Sequence, residues 1–197
     1  MIPVATIVEG DGEVSALPVL IRRLATELSP ASAVTPLQPI RVRRDRFLNK
    51  EEEFRRQLLL AASKCGDEGW ILVLLDADDD CPAALGEKIY QDAQKHVPHR
   101  RLSVVLANRE FEAWFIAAAQ SLEGMRGFSV APNERPEAET LRNAKGWMRD
   151  HMRSGKYSEI LDQPAFAARF SLQEAFKNSR SFRKLCKEWE AHVGRQA

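Results

Sequence analysis

The stretch "GWILVLLDADDD" (69–80) constrains the fold more than any other part of this sequence. Its first half is an unbroken run of large apolar residues, which is typical of a strand covered on both faces. A half-exposed strand would alternate apolar and polar residues instead. The run then changes abruptly into a segment of aspartates. We therefore expect a central, buried strand that ends at an acidic edge.

The rest of the first 124 residues alternates between strand and helix patterns. Further strands are predicted over 3–8, 101–107 and, at an edge, 38–44, and helices over 15–28, 50–66, 81–97 and 108–124, the last capped by Asn108. Strands that alternate with helices pair in parallel through right-handed crossovers. The pattern predicts an α/β fold with a Rossmann-like, four-stranded, mainly parallel sheet flanked by helices.

Composition divides the chain into two parts. Glycines, prolines and polar residues between 124 and 136 indicate a linker, so we predict an α/β core over 1–124 and a basic, mainly helical extension over 125–197 packed on it. Residues 141–197 hold 12 Lys and Arg against 6 Asp and Glu, whereas the preceding residues hold 17 against 22. A basic part attached to an acidic part suits a protein that binds phosphate with the former and cations with the latter. A helical tail with solvated charges explains the asymmetry equally well.

The sequence also indicates the compartment. No apolar run approaches the ~18 to 20 residues of a membrane span, and the first residues lack the pattern of a secretion signal. The three cysteines are scattered, which argues against a disulfide framework. We expect a cytoplasmic protein that does not bind a membrane.

Acidic residues follow three of the predicted strands. In open parallel sheets, functional groups gather beyond the carboxyl ends of the strands. Carboxylates held that close repel one another unless a divalent cation lies among them, and oxygen-only ligands favour Mg²⁺ or Mn²⁺. The acids are Glu9 and Glu13 after the first strand, Asp76, Asp78 and Asp80 after the third, and Glu110 and Glu112 after the fourth.

Local spacing adds two expectations at this edge. An extended backbone would carry Asp76 and Asp78 onto one side. Gly10 and Gly12 would adopt positive φ values in a tight turn and let backbone N–H groups approach an oxyanion. The alternative for the glycine loop is that Asp11 simply caps the helix that follows.

Two other motifs fit the aspartate segment less well. Asp76, Asp78, Asp80 and Glu87 match positions one, three, five and twelve of an EF-hand loop, but position six is not glycine and a strand precedes the loop. The segment is also similar to the haloacid dehalogenase phosphatases, in which one aspartate attacks phosphorus and another acts as acid/base. That alternative leaves Glu9 without a role.

Taken in chain order, "VEGDGE", "LLDADDD" and "NREFEAWFIA" resemble the TOPRIM domain, the metal-binding module of topoisomerases, primases and OLD-family nucleases. "FEAWF" and "SRSF" are similar to a bacterial family of stand-alone TOPRIM-like proteins. The resemblance covers about residues 4 to 120. It implies that Glu9 is a general acid/base, and that Asp76 and Asp78 are catalytic residues that hold Mg²⁺ or Mn²⁺. Glu9, Glu13 and Glu112 are expected to be further metal ligands.

Basic residues complete the expected site. We favour Lys145 and Lys156 as partners for phosphate, with Lys156 among the catalytic residues, although exposed lysines on helices are common without such a role. Arg43 and Arg44, beside the edge strand, are candidate nucleic-acid contacts. The alternative is that they protect a sheet edge from aggregation.

The leading hypothesis is a Mg²⁺- or Mn²⁺-dependent nuclease or nuclease subunit that cuts phosphodiesters, DNA before RNA, with two metal ions stabilising the attacking and leaving oxygens. The resemblance implies a role in bacterial defence against phage, with a homodimer left open. Because the chain has no G-x-x-x-x-G-K-[ST] loop, any ATPase would be a separately encoded partner. A non-catalytic module that binds nucleic acid or a partner is the second hypothesis, and a phosphomonoesterase is the third.

Aromatic residues in the predicted helix after the fourth strand have a simpler interpretation. Phe111, Trp114 and Phe115 follow i, i+3, i+4 spacing, so we expect them to pack on the sheet. Trp147 and Trp189 are expected to do likewise in the extension. Base stacking is the alternative role for these rings.

Overall fold

The computed structural model describes residues 1–134 and 136–194. Five strands form one parallel sheet in the order β2-β1-β4-β5, and β3 pairs with the far end of β1. The strands are β1 (Ile2–Val8), β2 (Val34–Pro36), β3 (Ile40–Arg41), β4 (Trp70–Asp76) and β5 (Arg101–Ala107). The sheet is therefore parallel throughout, and its two longest inner strands are neighbours.

Helices connect the strands, and in the described residues of the C-terminal part the regular structure is helical apart from one isolated bridge between Phe128 and Met152. They are α1 (Asp11–Leu28), α2 (Arg44–Asn49), α3 (Glu51–Cys65), α4 (Pro82–His96), α5 (Ala113–Ala117), α6 (Ala144–Asp150), α7 (Glu159–Ala167), α8 (Leu172–Asn178) and α9 (Arg180–His192). In the described part of the chain, no helix is both long and apolar enough to cross a membrane.

Two hydrophobic clusters cover the two faces of the sheet. Along β4, Leu72 and Leu74 belong to the cluster with α1 and the C-terminal helices, whereas Ile71 and Val73 belong to the cluster with α3 and α4. Successive side chains of a strand point to opposite faces, so both sets must be apolar. This double coverage explains the unbroken apolar run and confirms the predicted α/β class with its parallel sheet.

The C-terminal helices share a core with the first half of the chain. Trp189 on α9 packs against Trp70 with 6.0 Å between ring centroids, and its indole Nε1 donates to Ser29 Oγ over 3.0 Å. Arg23 on α1 donates to the carbonyl oxygens of Ala167 and Phe170 at the end of α7. One hydrophobic cluster thus contains residues from both sides of the predicted boundary at residue 124.

The structure corrects three predicted elements. The edge strand over 38–44 is only two residues long, because α2 already begins at Arg44, and a further strand, β2, precedes it. The helix over 108–124 is reduced to α5 with a short 3₁₀ turn behind it. Asn108 does not cap it; its Nδ2 donates to Glu139 Oε2 instead. Arg109 has a left-handed φ of 65°, which a helix starting at Asn108 could not contain.

Candidate metal and phosphate site

The first acids lie where β1 passes into α1. Gly10 is the N-cap of α1, and the Glu13 carboxylate bends back to accept a hydrogen bond from the Gly10 N–H. This bond is one half of a capping box: the glutamate at the third helical position satisfies the N–H of the N-cap residue, whereas glycine has no side chain to return the bond. Glu13 is 3% exposed as a result, and Glu9 lies next to it with a buried Oε2.

The two glycines of this loop serve close packing, not a turn with positive φ. Gly10 has φ −93°, an ordinary extended value, so the predicted left-handed conformation is wrong. A Cβ on Gly10 would lie 2.2 Å from Glu13 Oε2, and one on Gly12 would lie 2.1 Å from Gln163 Oε1. Because Glu13 already accepts from the Gly10 N–H, that donor is also not free for an oxyanion.

Asp76 and Asp78 occupy different environments. Asp76 is the last residue of β4 and is 5% exposed. Asp78 lies beyond the strand with φ 50°, and its side chain is 57% exposed. The extended backbone expected between them is therefore wrong, because the chain turns directly after the strand. Both still lie within electrostatic reach of Glu9.

Glu112 joins the cluster from the turn that follows β5. It is fully buried, and its Oε1 accepts hydrogen bonds from Tyr157 Oη at 3.1 Å and from Gln163 Nε2 at 3.0 Å. Its Oε2 is buried with no hydrogen-bond partner among the described residues. Gln163 also donates to Glu13 Oε1 over 3.4 Å. Both donors come from the C-terminal part, so α7 and the residue before its N-cap complete this site.

One lysine lies among these acids. Lys145, in the first turn of α6, pairs with Glu159 at 3.1 Å, and its charge acts on Glu9, Glu13, Asp76 and Glu112. Burial by itself lowers the pKa of Lys145, but the carboxylates, Glu112 foremost, outweigh that effect and hold it above its usual value. A single ammonium cannot neutralise this many carboxylates, so the cluster keeps an excess of negative charge.

The pKa values of the acids reflect their burial first and that excess second. The pKa of Glu9 is raised to about 7, by burial first and then by the charges of Asp78 and Glu13. Burial likewise raises the pKa of Glu112 to about 7, with Lys145 opposing the rise. The pKa of Asp76 is well above its ordinary value, through burial first and then through Glu13 and Glu112. Without a cation, part of the cluster is therefore protonated near neutral pH.

The cluster is not a finished metal cage. Within residues 1–134 and 136–194, no three His, Cys, Asp or Glu side chains are already arranged to hold a metal ion. The donor chemistry nevertheless fits a hard divalent cation, since every candidate ligand is a carboxylate and two of them, Glu9 and Glu112, carry a buried oxygen without a partner.

Arginines border the acids on the open side. Arg44 bridges two aspartates, with Nη1 at 3.4 Å from Asp78 Oδ2 and Nη2 at 2.6 Å from Asp80 Oδ2. Arg109 pairs with Asp79 over 2.6 Å on the side of β5. Asp80, whose role the sequence left undefined, is thus a partner of Arg44. The segment does not have the geometry of an EF-hand loop, because the strand β4 leads directly into it.

These features can be set beside known proteins. The family model described as "Domain of unknown function (DUF4276)" matches residues 8–190. The chain belongs to the DUF4276 family. No curated protein and no solved structure matches it.

The remaining predicted residues of this DUF4276 chain lie outside the acid cluster or at its margin. Lys156 is exposed, and its side chain makes no hydrogen bond or ion pair in the described residues; Tyr157 beside it enters the cluster instead. Arg43 is exposed next to Arg44. Phe111, Trp114 and Phe115 are fully buried in the core, as predicted, as is Trp189.

Sequence reasoning did not identify Tyr157, Glu159 and Gln163 as part of the DUF4276 site. Ser158 accepts from the Leu161 N–H and so marks the start of α7, a signal visible in the sequence. Nothing local indicates that this helix would dock on the N-terminus of α1.

Proposed function

We propose that this protein hydrolyses phosphodiesters of nucleic acid in a Mg²⁺- or Mn²⁺-dependent reaction, as a TOPRIM-like nuclease or nuclease subunit. One observation carries the proposal: carboxyls from the ends of three neighbouring strands, Glu9, Asp76 and Glu112, lie in one cluster with more negative charge than its lysine can balance. A divalent cation is the simplest means of removing that imbalance.

Each residue has a role in this proposal. Glu13, Asp76 and Glu112 would hold the metal ion, and Asp78, on the open side beside Glu9, would complete the ligand set. The bound ion would supply an activated water and neutralise charge on the phosphate in the transition state. Glu9 is suited to move a proton because its pKa of about 7 matches a neutral operating pH.

The order of the acids supports the TOPRIM-like assignment. A glutamate follows β1, and an Asp-x-Asp motif follows β4, the strand that pairs with β1. Preference for DNA, a role in phage defence, an ATPase partner and a homodimer derive from the resemblance alone, and they stay predictions.

The direct test is cleavage of plasmid and single-stranded DNA with Mg²⁺ or Mn²⁺ by the wild type, Glu9→Gln and Asp76→Asn. Asp67→Asn is the matched control, because Asp67 is 91% exposed and precedes the amino end of β4, at the opposite edge of the sheet. We expect cleavage by the wild type and the control only. Equal cutting by all four proteins would refute the assignment.

The same variants distinguish the phosphomonoesterase alternative from the proposed nuclease. An aspartate nucleophile at position 76 would not need Glu9. Hydrolysis of a generic phosphomonoester that disappears in Asp76→Asn and survives in Glu9→Gln would favour that alternative.

A non-catalytic module is the second candidate, and the ion pairs of Arg44 favour it. A guanidinium that already pairs with both Asp78 and Asp80 gives these aspartates a structural partner without any metal. This candidate predicts salt-dependent binding of nucleic acid with no turnover under any metal ion.

A further inference from the structure

Two concavities meet at the carboxyl edge of the sheet. One, of about 300 Å³, lies between the end of β1 and the β3–α2 segment and is lined by Glu9, Arg43 and Asp78 among others. The other, of about 290 Å³, lies on the side of β5 and is lined by Asp78, Arg109 and Arg142 among others. Asp78 lines both, so the two concavities adjoin at that residue, one toward β3 and the other toward β5, and we call them together the groove.

Arginines stand at both ends of this groove. On the β3 side, Arg43 is exposed and makes no ion pair in the described residues. On the β5 side, Arg142 is 78% exposed and only 3.7 Å from Asp79, a long contact that leaves most of the guanidinium accessible. Arg109 is 24% exposed beneath it. Planar guanidinium groups match phosphate oxygens well, so each end can accept an anionic group.

The backbone at the middle of the groove is held in an unusual conformation. Asp78 and Arg109 both have left-handed φ values, 50° and 65°, and the Asp78 N–H donates to the Arg109 carbonyl oxygen over 2.9 Å. Non-glycine residues adopt this conformation rarely, and such strain concentrates at functional sites. The hydrogen bond ties the two loops together, which fixes the position of the β5-side arginines relative to Asp78.

We propose that the groove binds a polynucleotide backbone that passes straight through, with one phosphate beside Glu9 and Asp78 and the flanking phosphates at Arg43 and at Arg109 and Arg142. The site then takes an internal phosphodiester. A terminal phosphate or a small phosphomonoester would need arginines on one side only. This inference deepens the proposed function and rests on it for the chemistry, but the binding path can be tested by itself.

The net charge of the groove affects how well it can bind a polynucleotide backbone. Each arginine end also holds carboxylates, so the groove has little net charge by itself. A divalent cation that neutralises Glu9 and Asp78 leaves the arginines in excess. Binding of the backbone is therefore measured with Ca²⁺ present.

The test is fluorescence anisotropy with a labelled single-stranded DNA oligonucleotide and an RNA of the same sequence. Arg43→Glu and Arg142→Glu change one end each, and both are exposed, so the variants should fold; thermal unfolding checks this. Arg55→Glu, on an exposed position of α3, makes the same charge change away from the groove. The two nucleic acids distinguish which backbone is preferred.

We expect each groove variant to weaken binding about tenfold and to reduce the slope of log affinity against log salt by about 0.7 for each lost phosphate contact on a single strand. The double variant should show the product of the two effects, and Arg55→Glu should stay within about twofold of the wild type. If Arg142→Glu matches Arg55→Glu, the strand does not cross to the β5 side and the proposal is wrong.

Failure of this inference differs from failure of the proposed function. If nothing is cleaved and both arginine variants weaken binding, the proposed binding path is supported and the proposed hydrolysis is refuted. If DNA is cleaved and Arg142→Glu does not weaken binding, the proposed hydrolysis is supported and the proposed binding path is refuted.

Discussion

Gln163 on α7 donates a hydrogen bond from Nε2 to Oε1 of Glu112 over 3.0 Å, although 51 positions separate the two residues. The bond joins the C-terminal helices to the acid cluster at the carboxyl edge of the sheet. Both residues are fully buried, so the contact is shielded from water. The candidate site therefore depends on how the C-terminal part docks, as well as on the α/β layers.

The docking of α7 on α1 predicts a clash at Gly12. A Cβ there would lie 2.1 Å from Gln163 Oε1, so Gly12→Ala should destabilise the fold by about 1–3 kcal/mol through overpacking. Thermal unfolding measures the change. Gly86→Ala on α4 is the control, since a Cβ at that position has no neighbour closer than 4.0 Å; it should be neutral or stabilising by up to ~1 kcal/mol.

A second substitution tests the mechanism of that clash. Truncation of the partner in Gly12→Ala/Gln163→Ala removes the obstructing atom, so the two effects should not add. A double variant as unstable as the sum of the single variants would contradict the contact.

The raised pKa values predict how the stability of the metal-free protein depends on pH. Glu9 and Glu112 have folded-state pKa values of about 7, above the ordinary 4.5, so the folded protein binds more protons between these values. Their contribution to stability is complete below pH 4.5 and is lost as the pH rises through 7. Asp76→Asn removes a charge from the same cluster, so it should stabilise the protein at about pH 8 and much less at about pH 5.

Differential scanning fluorimetry in a chelator, over this pH range, measures the effect. Added Mn²⁺ should then raise the melting temperature of the wild type at high pH and leave Asp76→Asn nearly unchanged. Asp67→Asn should behave like the wild type in both respects. Equal Mn²⁺ stabilisation of wild type and Asp76→Asn would argue against a cation in the cluster.

Lys145 should contribute to the stability of the folded protein, whereas Lys156 should not. Lys145→Met removes the one ammonium among the carboxyls and leaves their charges uncompensated, so the melting temperature should fall by several degrees, more at about pH 8 than at about pH 5. Lys156→Met changes an exposed side chain and should shift it by less than about 1 °C. Similar shifts in the two variants would mean that Lys145 does not neutralise the cluster.

Arg44 should compete with a metal ion. Its guanidinium holds Asp78 and Asp80, so Arg44→Met frees the Asp78 carboxylate and should tighten Mn²⁺ binding several-fold in calorimetric titration. Arg55→Met is the control, because Arg55 lies at an exposed position of α3, away from the cluster. Weaker Mn²⁺ binding by Arg44→Met would show that Asp78 is not the ligand that Arg44 masks.

Sequence patterns predicted the layers well because they depend on local periodicity. The run over β4 implied a strand covered on both faces, and β5 has the predicted bounds, 101–107. The acids at the strand ends were also visible, since parallel strands place their carboxyl ends at one edge. The failures concern single backbone conformations: Asp78 and Arg109 turn left-handed through a contact between two loops that no local pattern encodes.

The sequence by itself determined that a parallel sheet forms and that its carboxyl edge is acidic, because hydrophobic periodicity and the alternation of strands with helices are local patterns along the chain. Only the tertiary structure decided that α7 lies on α1, that Tyr157 and Gln163 donate to Glu112, and that Arg44 holds Asp78 and Asp80. The named hydrogen bonds and ion pairs join residues between 34 and 51 positions apart, and Gln163 on α7 lies 150 positions from Glu13 on α1. Their geometry follows from how whole helices and loops pack.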